Sequence, residues 1–336
     1  MNAVTFIVSH AGPHVTVQDK GRPQLMRFGV PASGPMDRAG FAIANAALGN
    51  TAGSPAIEIS MGGLTLECVE GSVTIAVVGG GFQVVIDQVS LGSWMVATVR
   101  AGSRLTIKPG PWGSWTYLAF AGQLRAIPWL GSVSTHGPSG RGGGRLVMGQ
   151  RLVVQEAEVR EQRLGEIPCP VSARPRNSLN VVLGPQQRFF ASESIDAFLS
   201  QPFALTDAYD RMGVRLSGPS LRPTAALDMP SEAIVRGSIQ VAGDGSPTVL
   251  LADHQTTGGY PKIATVISCH LDGFVQLRSR DQVSFKSVTP AAAIQTVRRR
   301  YHEQERFLAG VQAGPKSLTQ KLLSVNLIDG VVSGAA

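Results

Sequence analysis

Three cysteines in 336 residues, Cys68, Cys169 and Cys269, are too few and too widely spaced for a disulfide framework. Their odd count fits a reducing compartment. Charged residues make up 16% of the chain and aromatics 6%, which argues against long charge-laced helices and coiled coils. No apolar run approaches the roughly 18 residues of a membrane span. The opening Met1-Asn2-Ala3-Val4-Thr5-Phe6-Ile7-Val8 has neither the basic start nor the cleavage site of a secretory signal. A cytoplasmic protein without membrane contact is expected. Chemical motifs are also scarce. There is no Gly-x-x-x-x-Gly-Lys-Ser/Thr loop, and Gly79-Gly80-Gly81 lacks the helix and acidic residue of a dinucleotide site. The six histidines show no metal-ligand spacing, and Cys269-His270, read as neighbours on a strand, would point to opposite faces, so no metal is expected. No biotin-attachment sequence occurs. The order of residues suggests no nucleophile–base–acid set.

What is present is glycine, proline and short apolar runs. With 39 Gly, 21 Pro and 43% hydrophobic residues, the chain suits many strands joined by tight turns. Val4–Val8 and His14–Gln18 read as an opening hairpin. Leu64–Cys68, Val73–Val78, Phe82–Ile86, Trp94–Val99, Arg104–Lys108 and Trp115–Phe120 continue it as a meander. The glycine-rich residues 131–149 read as a mobile loop. Polar residues 156–166 followed by Pro168-Cys169-Pro170 mark a boundary, giving a β half over residues 1–160, a second over 175–310, and a tail over 311–336. In the second half Leu179–Leu183 is a strand, Ser192–Leu199 a helix, and Thr289-Pro290 a helix start with a good N-cap. Gly71-Ser72-Val73-Thr74-Ile75-Ala76 faintly repeats in Gly237-Ser238-Ile239-Gln240-Val241-Ala242. The net charge of +7 invites a nucleic-acid reading. However, its one dense run, Arg298-Arg299-Arg300, falls in the last helix, where a solvated face is favoured.

Two segments carry chemistry. Residues 253–262, Asp-His-Gln-Thr-Thr-Gly-Gly-Tyr-Pro-Lys, separate the apolar strands Thr248–Ala252 and Ile263–Ile267. Such a density of polar groups on a Gly-Gly hinge is either a polar hairpin tip or a site. Gln18-Asp19-Lys20-Gly21-Arg22-Pro23 precedes Ser33-Gly34-Pro35-Met36-Asp37, which supplies the cap of a helix with the stripe Phe41, Ala44, Leu48 and a stop at Gly49. A polar loop entering a helix N-terminus is either an anion site or an ordinary capped helix with Asp19 and Arg22 ion-paired.

These blocks resemble one family. Gln18–Arg22, Gly29–Asp37, Ala44-Asn45 and Leu48–Asn50, then Arg211–Gly218, Ser231-Glu232, Gly237–Val241 and Asp253–Lys262, follow in order the pattern of the allophanate hydrolase subunit 2-like family, also called the 5-oxoprolinase C-type or biotin-dependent carboxyltransferase family. The resemblance implies a mostly β, cyclophilin-like architecture in two barrel-like halves with a few short helices. It also implies a subunit 1-like (B-type) partner. The chain departs from the pattern at Tyr209, where a small hydroxyl residue is expected, at His254, Ala233 and Arg236, and through residues 134–145.

The expected activity is ATP-dependent opening of 5-oxoproline to glutamate. The chain would act as the C-type component, with a B-type partner and a lactam-processing A-type partner, and be inactive alone. ATP would be bound within the complex, on a partner if not here. A free-standing chain suits a multi-subunit lactamase better than urea-type carboxylation, in which biotin would arrive on another chain. A regulatory module antagonising a kinase inhibitor is the non-enzymatic alternative. Asp19, Asp253, Gln255 and Lys262 are the candidate catalytic residues, with Asp19 or Asp253 as base. Gln18, Arg22, Ser33, Asp37, Arg211, Thr256, Thr257, Gly258, Gly259 and Tyr260 are the candidate substrate contacts; Gln18, Asp19 and Arg22 are expected to approach Asp253, Gln255, Thr256, Thr257, Tyr260 and Lys262 in one cleft that takes a small amide or lactam. An exposed apolar patch should mark the partner surface, and self-association would cover it when the chain is isolated.

Overall fold

The computed structural model describes residues 2–224 and 230–314; of the tail expected over 311–336, residues 315–336 lie outside the described residues. Among the described residues no helix is long and apolar enough to cross a membrane.

The first half is mostly β, laid out in two sheets. One runs Gln123–Leu124, Arg151–Gln155, Val4–Ala11, Leu64–Glu70, Arg104–Lys108, Gln83–Ile86, Val89–Gly92. The other runs Gly165–Glu166, Met95–Arg100, Ser72–Val78, Thr116–Phe120, Ala56–Ile59, Thr16–Gln18. The strands are where the apolar runs put them, but neither the opening hairpin nor the meander forms. Val4–Ala11 pairs with Arg151–Gln155 and Leu64–Glu70, whereas Thr16–Gln18 pairs with Ala56–Ile59 in the other sheet. The chain changes sheets at Gly12, where an added Cβ would sit 2.4 Å from the Gly62 backbone. Apolar alternation reveals which face of a strand is buried, not which strand lies beside it.

Helix α1, Arg38–Leu48, turns Phe41, Ile43, Ala44 and Leu48 into the core beneath these sheets, with Phe41 edge-on to Tyr117 at 5.8 Å. Its cap is Asp37, which accepts from Gly40 N at 2.8 Å; Ser33, in the left-handed region, lies outside the helix. Gly49 ends α1 at φ 71°, a conformation that glycine adopts at little cost.

The second half closes as a seven-stranded barrel. The order is Ser178–Leu183, Lys262–Val266, Ser238–Val241, Pro247–Leu250, Gly213–Ser217, Phe203–Tyr209, Gln282–Ser287, and back to the first strand by a parallel pairing. Its core centres on stacked Phe198 and Phe285, 4.6 Å apart, with Phe203 beside them. Helix α2, Ser192–Ser200, contributes Phe198. The faint sequence repeat has a structural counterpart. Gly71 and Gly237, both at positive φ, precede Ser72–Val78 and Ser238–Val241, and each of these strands is flanked on both sides in its sheet.

The halves interpenetrate. Met36 and Trp115 of the first pack in the second core, while Phe307, Leu308 and Val311 of helix α4, Pro290–Gln312, pack on the first. Helix α3, Ser268–Phe274, carries Cys269 and His270; the strand expected there is a helix, and His270 Nδ1 accepts from Asn180 N at 3.0 Å. Thr289 caps α4 as expected, accepting from Ala292 N at 3.2 Å.

Candidate functional site

A buried ion triad joins the halves. Arg211 grips Asp253 with two parallel bonds, Nε to Oδ2 at 2.9 Å and Nη2 to Oδ1 at 3.0 Å, and its Nη1 donates to Glu58 Oε1. Its Nη2 also reaches Gly34 O at 2.8 Å. All three side chains are at most 2% exposed. Burial works against each charge, so the triad persists only because every member is paired. Arg211 and the Gly137 N–H, 2.9 Å from Asp253 Oδ2, hold the Asp253 carboxyl below the usual range despite burial. Asp253 and Glu58 in turn outweigh burial and keep Arg211 firmly protonated.

Glu58 extends the network. Its Oε2 accepts from Met36 N at 2.7 Å and from Tyr117 Oη at 2.8 Å, and Tyr117 Oη accepts from Asp37 N at 2.7 Å. Asp37 then accepts from Gln276 Nε2 at 2.8 Å, across the junction of the halves. Burial, with Asp272 nearby, pushes Asp37 up to about 7.

The loop after Thr16–Gln18 meets this triad through residues 132–137. Asp19 accepts from Gly21 N, Val133 N, Ser132 Oγ and Ser134 Oγ at 2.6–2.9 Å. With four donors on two oxygens it acts as a latch, and it forms no ion pair with Arg22. The segment expected to be mobile is pinned here, and again where Thr135 N bonds Val17 O at 3.0 Å. Arg22 donates to Ser134 O and to Trp129 O, and lies over the Trp129 ring at 4.7 Å. His136 shares the segment; burial, reinforced by Arg22 and Arg211 against Asp253, lowers its pKa and leaves the imidazole neutral.

Three buried polar atoms of this region have no partner: Gln18 Oε1, Arg22 Nη1 and Ser33 Oγ. The Gln18 amide nitrogen faces Thr135 O at 3.1 Å, a pure acceptor, which fixes the amide orientation and leaves its oxygen without a partner. Ser33 stands close enough to Asp253 to help hold its carboxylate low. An acceptor and a cationic donor left unpaired out of water, with the Ser33 hydroxyl beside Asp253, mark a candidate socket for a small polar ligand, because unpaired buried groups are costly.

The structure therefore brings together Gln18, Arg22, Ser33, Arg211 and Asp253, with Asp19 and Asp37 as fasteners. It places the rest of the 253–262 segment further out. That segment is no hairpin tip, since Pro247–Leu250 and Lys262–Val266 are not neighbours; Ser238–Val241 lies between them. Thr257-Gly258 pairs with Glu232-Ala233 as a two-stranded flap, where Thr257 and Tyr260 are exposed. Gln255 bonds Gln240 at 3.0 Å, and Thr256 O accepts from Ile234 N at 3.1 Å. Lys262 Nζ sits 3.5 Å from Glu232, whose carboxylate also takes Gln186. Gly258 stands against Gln240, and a Cβ there would approach its amide to 2.6 Å.

The α1 N-terminus is not an open anion site. Asp37 occupies Gly40 N, and Asp272 Oδ1 takes Arg38 N at 2.9 Å. Sequence reasoning missed Glu58, Tyr117 and His136. A carboxylate within the apolar run Ala56–Ile59 was the available signal for the first.

A family model described as carboxyltransferase domain, subdomain A and B, matches residues 28–287. The chain belongs to that family. It is 33% identical over 302 residues to the C component of the 5-oxoprolinase of Escherichia coli, covering 88% of this chain and 96% of that protein. Among solved structures, the Kluyveromyces lactis urea carboxylase is 26% identical with a TM-score of 0.81, covering 96% of this chain but 30% of that one. TTHA0988 is 32% identical with a TM-score of 0.76, covering 84% of this chain and 55% of that one. The departures from the family pattern at Tyr209 and Arg236 have structural partners. Tyr209 Oη donates to Val275 O and accepts from Trp115 Nε1 at 3.1 Å, and Arg236 donates to Pro35 O and Met36 O just before α1.

Proposed function

We propose that the chain is the C-type component of an ATP-dependent 5-oxoprolinase, opening 5-oxoproline to glutamate with a B-type partner. The observation that carries this reading is sequence similarity. The chain is 33% identical to a 5-oxoprolinase C component and 26% identical to the solved urea carboxylase. The socket supports it on independent grounds. 5-Oxoproline offers one lactam N–H for Gln18 Oε1 and a carboxylate for Arg22 Nη1 and Ser33 Oγ. Urea has two NH2 groups and no charge, and would leave the Arg22 cation unneutralised. The high structural similarity to urea carboxylase keeps carboxyl transfer as the second reading, with biotin carried by another chain.

In this reading the chain binds and orients the lactam and excludes water. Asp253 is a poor base, because the Arg211 guanidinium and the Gly137 N–H hold its carboxyl low, and the Asp19 oxygens are occupied by backbone and hydroxyl donors. ATP would supply activation of the amide, yet the residues here do not fit its phosphates, since Asp37 and Asp272 already fill the α1 N-terminus. In this proposal the nucleotide is bound within the complex, on a partner chain, and the isolated chain should not turn over. Exposed Ile127, Leu130, Val147 and Met148, 53–80% accessible, flank the 132–144 loop and suit a partner contact there. Three free cysteines suit the cytoplasm. Deleting the gene should abolish growth on 5-oxoproline as sole nitrogen source. Unimpaired growth without a redundant paralogue would refute the assignment.

A further inference from the structure

A cavity of about 290 Å³ lies along α1, between the 50–53 turn and the end of α4. Phe41 and Leu308 line it with apolar surface, and Lys20 and Arg38 supply its charge. None of its lining residues is acidic, and among the described residues neither cation has a carboxylate within 4 Å. Asp272 contacts Arg38 only at its backbone amide. The two asparagines in the wall are already committed. Asn45 Nδ2 donates to Ser54 O at 3.0 Å, and Asn50 Nδ2 to Asn45 Oδ1 and Phe120 O at 3.0 and 2.9 Å. The cavity thus has two cations without an ion pair, Arg38 also lying in the field of Asp272, and the Gln312 amide at its rim as further polar capacity. Lys20 is also held in place. Its stem crosses Gly53, which sits at φ 84°, and a Cβ there would meet the Lys20 stem at 3.2 Å.

We propose that this cavity binds a small organic acid, its single carboxylate between Lys20 and Arg38 and a compact apolar body over Phe41 and Leu308. The charge selects an anion, and with the asparagines committed the rest of the ligand meets mainly apolar surface, with only Gln312 offering a further polar group. The volume, just below the roughly 300–1,000 Å³ of drug-sized sites, suits a small molecule and is too small for a partner's helix. The site is separate from the Gln18–Arg22–Ser33 socket and does not depend on the assigned reaction. Because Lys20 lies between the Asp19 latch and Gly21, occupancy would bear on the loop that positions Arg22.

The test is calorimetric titration of the full chain with octanoate as probe and 1-octanol as the uncharged control. Octanoate should bind saturably, one per chain, and 1-octanol far more weakly. The Lys20→Gln/Arg38→Gln variant should bind octanoate roughly tenfold less well, the scale of losing two exposed charge contacts. Both residues are exposed, so an unchanged melting temperature will show the fold intact. Gly53→Val, which disturbs the Lys20 stem while keeping both charges, should also weaken binding. No saturation, equal binding of 1-octanol, or undiminished binding by the double variant would overturn the proposal.

Discussion

At Arg211 one guanidinium satisfies two buried carboxylates and the Gly34 carbonyl. Removing one partner leaves a charge stranded out of water. Asp253→Asn should therefore cost about 3 kcal/mol of stability by denaturant unfolding, at the low end for breaking a buried pair. Asp37 makes the opposite kind of demand. Its folded pKa is about 7, above the ordinary carboxylate value, so the folded chain favours its protonated form. Its contribution is full below about 4 and is lost as pH rises through about 7. The lowered histidines tilt stability the other way as pH falls, so the clean observable is a difference. Wild type minus Asp37→Asn should lose melting temperature between pH 5 and 8, where a flat difference would show that Asp37 does not titrate there.

At the level of elements, the 132–137 segment depends on Asp19 more than on any strand. Asp19→Asn replaces an acceptor of four hydrogen bonds with a neutral amide that also donates. Amide exchange across residues 131–145 should quicken at least tenfold, consistent with losing charge-assisted bonds of roughly 1.5–3 kcal/mol, while the barrel strands keep their protection. Exchange unchanged in that loop would mean that Asp19 is no latch. Elements were also what the sequence revealed best. Gly49, Thr289-Pro290 and the apolar runs announced their helix ends and strands through local chemistry. Strand neighbours were not legible, because Val4–Ala11 and Thr16–Gln18 look alike locally yet enter different sheets. The site was half legible. Gln18, Arg22, Ser33, Arg211 and Asp253 were found by motif and converge, whereas Thr257, Tyr260 and Lys262, equally polar, lie on or beside the flap. Glu58 and Tyr117 were hidden because, in one dimension, each reads as part of an apolar strand.

Across the whole molecule, two β halves share one polar seam. Gln276 from the second half serves Ser114 N, Trp115 N and Asp37, Ser114 Oγ bonds Leu277 O, and Arg211 of the second half holds Glu58 of the first. The socket lies beside that seam, so a rigid relation between the halves is what presents Arg22 and Gln18 to a ligand. The account therefore stands on this chain supplying the lactam-acid socket of a larger enzyme. The most direct test is glutamate formation from 5-oxoproline and ATP by the partner proteins, measured without the chain, with it, and with its Arg22→Gln variant. Turnover should require the chain, and the folded, partner-bound variant should raise KM at least about tenfold, the loss expected for a buried charge-assisted contact. Full turnover by the partners alone, or an Arg22→Gln complex with unchanged KM, would contradict it.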